Sequence, residues 1–209
     1  MIPEELLLAK GASRRRLEMG EIIFREGGPS NYYYQLVSGM VRWSNFKSDG
    51  EEMLHHLLQA GDVFGEFPND ESCQYTATAV AETPCELLRI NVDALAELLK
   101  EHPDVHLEFT KLVAEQLRYK FFLTDIICTY SPKMVLLKLI NYFNDHGKYI
   151  CEDCKRLMLT RQQLANMTGL RVETIIRTFK QLEREHQIHI IKGKIFIPAD
   201  GICSASCAS

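Results

Sequence analysis

Apolar positions change rhythm twice along this chain. Between Gly20 and Ile90 they come in short runs, Tyr32 to Val37, Met40 to Phe46, Met53 to Leu58, Tyr75 to Val80 and Cys85 to Ile90, rich in aromatic and β-branched residues. Gly28, Gly39, Gly50 and Gly61 punctuate the first part of this region at eleven-residue intervals. Short strands with turn signals at such spacing predict a barrel or sandwich, with Asp49-Gly50 as the strongest hairpin signal. From Asn91 the rhythm turns helical. Asn91 to Lys100 reads as a short helix capped by Asn91 and stopped by Pro103, and Asp104 to about Tyr130 as a long one. The long helix carries two apolar stripes. One runs at heptad spacing through Val105, Phe109, Leu112, Gln116, Tyr119, Leu123, Ile126 and Tyr130, and the other through Val113, Leu117 and Phe121. Two such faces predict that one packs on the chain's own barrel and the other on an identical helix across a twofold axis. Ser131-Pro132 ends the run with a helix-start signature, serine capping and proline in the first turn.

A third pattern begins at Thr160. Thr160 with Gln163 is a capping box, so a helix starts there. Thr168-Gly169 breaks it, and a second periodic run starts at Arg171, in which Ile175, Phe179 and Leu182 form one inward stripe. This is a helix-turn-helix. Arg171, Glu173, Thr174, Arg177 and Lys180 are left facing outward, with Thr160, Arg161 and Gln162 at the start of the preceding helix. Arginine reaches guanine bidentately, glutamate accepts from the cytosine amino group, and threonine or lysine serves bases or phosphates. A mixed-charge face is equally at home in solvent. The hairpin that follows, Ile188 to Ile191, Lys192-Gly193-Lys194, then Ile195 to Ile197, favours the DNA reading, because it makes a wing whose lysines can meet phosphate.

Charge adds a division that the net value of −4 conceals. Residues 1–130 hold 12 Lys/Arg against 21 Asp/Glu, whereas residues 131–209 hold 12 against 7. An acidic sensing half joined to a basic nucleic-acid-binding half is the expectation. No apolar run approaches a membrane span and the N-terminus lacks a signal-peptide layout, which predicts a soluble cytoplasmic protein with no membrane partner. No nucleophile with a base at a recognised spacing, phosphate loop or catalytic metal motif is present, so an enzyme is not expected.

Gly169 to Arg177 with the Lys-Gly-Lys wing resembles the DNA-binding domain of the cyclic AMP receptor protein and fumarate-nitrate regulator (Crp/Fnr) family of bacterial transcription factors. That family carries Arg-Glu-Thr-Val-x-Arg in its recognition helix. Here the stretch is Val172-Glu173-Thr174-Ile175-Ile176-Arg177, with Arg171 one residue before the position of the missing arginine. Gly20 to Phe24, Tyr32 to Gly39 and Gly61 to Glu66 resemble the cyclic-nucleotide-binding barrel of the same family. The resemblance implies an α+β fold. Residues 1–103 would form a cyclic-nucleotide-binding-like jelly-roll barrel, 104–130 a dimerisation helix and 131–209 a winged helix-turn-helix. It implies a homodimer on double-stranded DNA with an inverted-repeat site, the recognition helices entering successive major grooves about 34 Å apart, and RNA polymerase as a partner. Glu173 and Arg177 would read bases, while Thr174 and Arg171 would contact phosphate or base.

The family's phosphate cassette couples Gly-Glu-Leu to a downstream Arg-Ser-Ala or Arg-Thr-Ala. Its glutamate holds the ribose hydroxyl and its arginine neutralises the cyclic phosphate. This chain has Gly65-Glu66-Phe67, and Tyr75 stands at the arginine position before Thr76. A phosphate buried without a cation is costly, and a neutral tyrosine hydrogen bond is a weak substitute. The expectation is therefore an unidentified effector at Gly65, Glu66, Phe67, Tyr75 and Thr76, with cyclic AMP either not the ligand or bound only weakly; a barrel kept as structure with no ligand is the alternative. A different class of function is a ligand-binding regulatory module that acts on a protein partner and makes no use of Arg171, Arg177 or the wing lysines.

Of the seven cysteines, Cys85 and Cys128 sit in apolar sequence and read, with Cys73, as structural thiols, the first two buried. Cys151-x-x-Cys154 and Cys203-x-x-x-Cys207 differ. Antiparallel pairing of Arg156 to Leu159 with Ile195 to Ile197 would bring the two pairs together. Four thiolates suit a structural zinc, less well an iron-sulfur cluster. A redox disulfide and plain reduced thiols are the alternatives, and a redox- or metal-sensing regulator would use the same four.

Overall fold

The computed structural model describes residues 1–66 and 73–198. The chain divides into two compact units, Met1–Arg118 and Tyr119–Ser209, with the division inside the longest helix. Among the described residues no helix is long and apolar enough to cross a membrane.

The first unit opens with α1 (Glu4–Ala9), followed by β1 (Ser13–Leu17), β2 (Ile22–Phe24), β3 (Tyr32–Ser38), β4 (Val41–Phe46), β5 (Glu52–Leu58), β6 (Val63–Phe64), β7 (Thr78–Ala81) and β8 (Cys85–Asn91). Then come α2 (Val92–Glu101) and the first part of α3 (Pro103–Thr129). Two four-stranded antiparallel sheets, ordered β1-β8-β3-β6 and β2-β7-β4-β5, form the jelly roll. Period-two alternation decides which side chains enter it. From β3, Tyr34 and Leu36 join Phe24, Phe64, Leu87 and Tyr75 inside the roll. Their neighbours Tyr33, Leu88 and Ile90 face a second core made with Leu95, Leu98 and Leu99 of α2 and Val105 and Phe109 of α3. The Asn91 side chain accepts from the amide of Asp93, which is the predicted cap.

Two local readings differ from the structure. β1 was not predicted, because its Ser-Arg-Arg-Arg-Leu sequence looks like a solvated run; it is an edge strand paired with β8, and Arg14 and Arg16 bind Glu86 across the pair at 2.6 and 3.0 Å. The strand expected from Tyr75 starts only at Thr78. The backbone of Tyr75 pairs instead with the preceding loop, receiving a bond from Gly27 and giving one to Gly28, both at 2.9 Å.

The second unit holds the rest of α3, then α4 (Pro132–Asp145), α5 (Arg161–Thr168), α6 (Val172–Arg184), β9 (His189–Ile191) and β10 (Lys194–Phe196). Leu136, Leu139 and Phe143 of α4, Leu164 and Met167 of α5, and Ile175, Phe179 and Leu182 of α6 are all buried. Within this unit Tyr142 of α4 stacks on Phe122 of α3 at 4.4 Å between ring centroids. Pro132 occupies the first turn of α4 as predicted, but the Ser131 side chain makes no capping bond there.

Candidate nucleic-acid interface

The capping box fixes where α5 begins. The Thr160 hydroxyl accepts from the amide of Gln163 at 3.1 Å, and the Gln163 side chain accepts from the amide of Thr160 at 2.8 Å. Gly169 ends α5 with φ +70, a left-handed turn suited to glycine, and α6 starts three residues later. With Ile175, Phe179 and Leu182 buried, helical geometry leaves Arg171, Glu173, Arg177 and Lys180 exposed and Thr174 half-buried. Ile176, Gln181 and Arg184 share an open surface with Glu173, Arg177 and Lys180. Helical spacing alone places these three on that surface: Ile176 lies one turn from Glu173, Gln181 one turn and Arg184 two turns from Arg177.

The wing stands beside this helix. β9 and β10 pair antiparallel through a tight turn in which Lys192 and Gly193 have φ +47 and +75. Two side chains hold it. Arg161 donates to the Gly193 carbonyl at 2.8 Å, and Glu183 of α6 accepts from the amide of Ile190 at 3.1 Å. Arg161 was expected at the DNA contact surface, and the structure shows it bracing the wing turn. Gln162 is exposed and donates to Asn166 at 2.7 Å. Lys192 is exposed and Lys194 half-buried. Among the described residues no ion pair engages Arg171, Arg177, Lys180 or Lys192. Uncompensated cations on a helix face and an adjoining turn are what a phosphate backbone requires.

In the roll, Gly65 has φ +100, and a Cβ there would lie 3.0 Å from the Tyr32 carbonyl oxygen, so the glycine is needed. It turns Glu66 so that Oε1 accepts from the Thr76 amide at 2.8 Å and from the Thr76 hydroxyl. Glu66 Oε2 is buried and has no hydrogen-bond partner among the described residues. Phe67 lies outside the described residues. Tyr75, expected to face the effector, is instead part of the core. It is 4% exposed, and its ring stacks on Phe24 at 3.8 Å. Its hydroxyl donates to the Tyr32 carbonyl at 2.9 Å and accepts from the Tyr32 amide at 3.2 Å. Burial raises its pKa well above the ordinary tyrosine value. The gain in apolar burial and a two-way bond to β3 explain the inward turn.

Cys85 is buried as expected, but Cys128 is exposed, because it falls off the buried stripe that ends at Ile126. The predicted ribbon is present: Arg156 bridges Phe196, and Leu157 donates to Ile195 at 2.9 Å. Cys151 and Cys154 sit at its tip, whereas Cys203 and Cys207 lie outside the described residues. Among the described residues no group of three or more His, Cys, Asp or Glu side chains could hold a metal.

Residues 14–102 match the family model of the cyclic nucleotide-binding domain, and residues 134–199 that of the Crp-like helix-turn-helix domain. The cAMP-activated global transcriptional regulator CRP of Haemophilus influenzae is 25% identical to this chain, over 80% of this chain and 75% of its own length. The global nitrogen regulator of Synechocystis sp. is 28% identical over 86% and 82%. The solved structure of the c-di-GMP-responsive global regulator CLP of Xanthomonas campestris has the same fold, with a TM-score of 0.74 at 19% identity over 94% of this chain and 98% of that one.

Proposed function

The chain belongs to the Crp/Fnr family of DNA-binding transcriptional regulators, and from that premise we propose that it works as a homodimer on an inverted repeat, controlled by an effector other than cyclic AMP. One observation carries the DNA-reading part: Arg171, Glu173, Arg177 and Lys180 lie on the exposed side of α6, next to a wing turn held by Arg161. In a dimer, two such helices would enter successive major grooves, and RNA polymerase would be the partner recruited or blocked at the promoter.

Tyr75 supports the exclusion of cyclic AMP. The side chain at the phosphate position is neutral, stacked inside the roll, and already bonded through its hydroxyl to Tyr32. The six residues between Glu66 and Cys73 include no Lys or Arg to take its place. What remains for a ligand is Glu66 Oε2, a buried acceptor suited to a hydroxyl or amine donor. An effector that offers a donor and no phosphate fits that chemistry. A route from this site to α3 is short: Gln116 of α3 donates to the carbonyl of Val63 at 2.6 Å, two residues before Gly65. Ligand that moves the Gly65 turn would therefore act on α3, the helix that continues into the second unit.

Selection of a binding site from random duplexes, followed by titration at physiological salt, tests the reading. Arg177→Ala should lose about 1–3 kcal/mol on the selected site and flatten its preference at one base position in each half-site. Equal affinity of the unaltered protein for selected and random duplexes would overturn it. Calorimetry with cyclic AMP should show no tight binding, and micromolar or stronger binding would refute the effector part alone.

A further inference from the structure

We infer that the roll holds a small monocarboxylate between Arg15 and Arg89, at a site separate from Glu66 and independent of what Glu66 binds. The strand register puts both arginines on the inner face. Arg15 lies opposite Leu87, and Arg89 opposite Tyr34. Residues opposite one another share a face of a sheet, and Leu87 and Tyr34 belong to the core inside the roll. Arg14 and Arg16 point the other way, and there Glu86 binds both. The inner pair has no such counterion: among the described residues no ion pair engages Arg15 or Arg89. Arg89 is half-buried, and its Nε is buried with no hydrogen-bond partner among the described residues. Its guanidinium lies over the Tyr32 ring, 4.3 Å from the centroid. The ring face attracts the charge but leaves the N–H groups in the guanidinium plane unanswered.

Arg15 and Arg89 line a cleft of about 20 Å³ together with Leu17, Ile23, Tyr34 and Leu87. Burial raises the Tyr34 pKa, while its bond to the Tyr75 hydroxyl and the nearby charges of Arg89 and Arg15 pull it back. Both cations therefore act on the same ring. An inward charge on an edge strand also blocks the addition of further strands, which accounts for Arg15. It does not account for Arg89, because β8 lies between β1 and β3. The cleft selects its ion. Two guanidinium groups above apolar walls call for an anion, since a partly buried cation without a partner is costly. The volume is little more than one water needs, so a phosphate with four tetrahedral oxygens is too large. Chloride fits but offers a single point of charge. A carboxylate presents two coplanar oxygens that take Nε–H and Nη–H of one guanidinium together, and its chain can extend past the exposed Arg15 to solvent. Bound there, it would tie β1 to β8 through the inner face as Glu86 ties them through the outer one.

The experiment titrates the full chain with sodium acetate, replacing sodium chloride stepwise at constant ionic strength, and repeats the titration with inorganic phosphate. Saturation-transfer NMR on the acetate methyl group and the thermal unfolding midpoint are the readouts. Acetate should bind saturably and raise the midpoint, and phosphate should do neither. Arg15→Gln, at an exposed edge position outside the core, should weaken acetate about tenfold or more, the effect of one lost charged hydrogen bond. Arg89→Lys keeps the charge without the planar fork and should weaken it comparably. Arg16→Gln removes the same charge from the outer face and should leave acetate binding unchanged. Acetate binding weakened as much by Arg16→Gln as by Arg15→Gln, a phosphate response equal to that of acetate, or no saturable acetate binding would each overturn the assignment.

Discussion

By the resemblance of Gly65-Glu66 and Thr76 to the family's phosphate cassette, Tyr75 takes the arginine's place, and its surroundings explain why a tyrosine behaves differently there. An arginine would have to keep its charge near solvent or an anion, whereas tyrosine can bury its ring on Phe24 and still satisfy its hydroxyl on the Tyr32 backbone. Tyr75→Phe keeps the stack and removes both hydrogen bonds, leaving the Tyr32 amide and carbonyl without that partner. A loss of about 1–3 kcal/mol in denaturant unfolding is expected. The raised pKa adds a signature in alkali. The folded chain holds a proton that the unfolded chain releases, so Tyr75 contributes its full share below the unfolded tyrosine value of about 10 and loses it as pH climbs beyond. Unfolding midpoints measured across that range should fall more steeply for the unaltered protein than for Tyr75→Phe. Parallel curves would mean that the hydroxyl is not held in the core.

The wing illustrates a different division of labour, between elements that read and elements that hold. Arg161 lies at the start of α5, yet its guanidinium crosses to the Gly193 carbonyl in the turn between β9 and β10. Arg161→Ala should weaken selected and random duplexes by a similar factor, several-fold for one lost charge-assisted bond of about 1 kcal/mol, because a displaced wing turn costs phosphate contact and not base reading. Competition titrations would show this as an unchanged specificity ratio, in contrast to Arg177→Ala. The helix-turn-helix was legible in the sequence because its signals are local: Thr160 with Gln163, Gly169, and the spacing of Ile175, Phe179 and Leu182 each act within a turn or two of helix. The role of Arg161 was not legible, since its partner is 32 residues away. The same holds for β1, whose Arg14 and Arg16 find their strand partner only in the distant Glu86, and for Tyr75, whose direction depends on β3. Ser131 departs in the other direction: it sits at the N-cap of α4 as its local signal says, yet its side chain makes no capping bond.

At the scale of the molecule, α3 has to account for two apolar stripes. One is consumed within the chain: Val105 and Phe109 belong to the first unit's core, Gln116 donates to Val63, and Tyr119, Leu123 and Ile126 are buried. The other is not. Val113, Leu117 and Phe121 are 43, 55 and 68% exposed, one helical face of three large side chains turned to water. Burying such a row yields roughly 25 cal/mol for each Å² of apolar area covered, and an identical row across a twofold axis covers both copies at once. Phe121→Asp separates this pairing from folding. The side chain is exposed in the single chain, so thermal stability at low concentration should change by less than about 0.5 kcal/mol. A carboxylate facing its own copy across the axis should instead shift sedimentation from dimer to monomer and remove cooperative binding to an inverted repeat, while a single half-site is still bound weakly. A Phe121→Asp chain that sediments as a dimer would move the pairing surface off this face of α3 and leave the exposed stripe without an occupant.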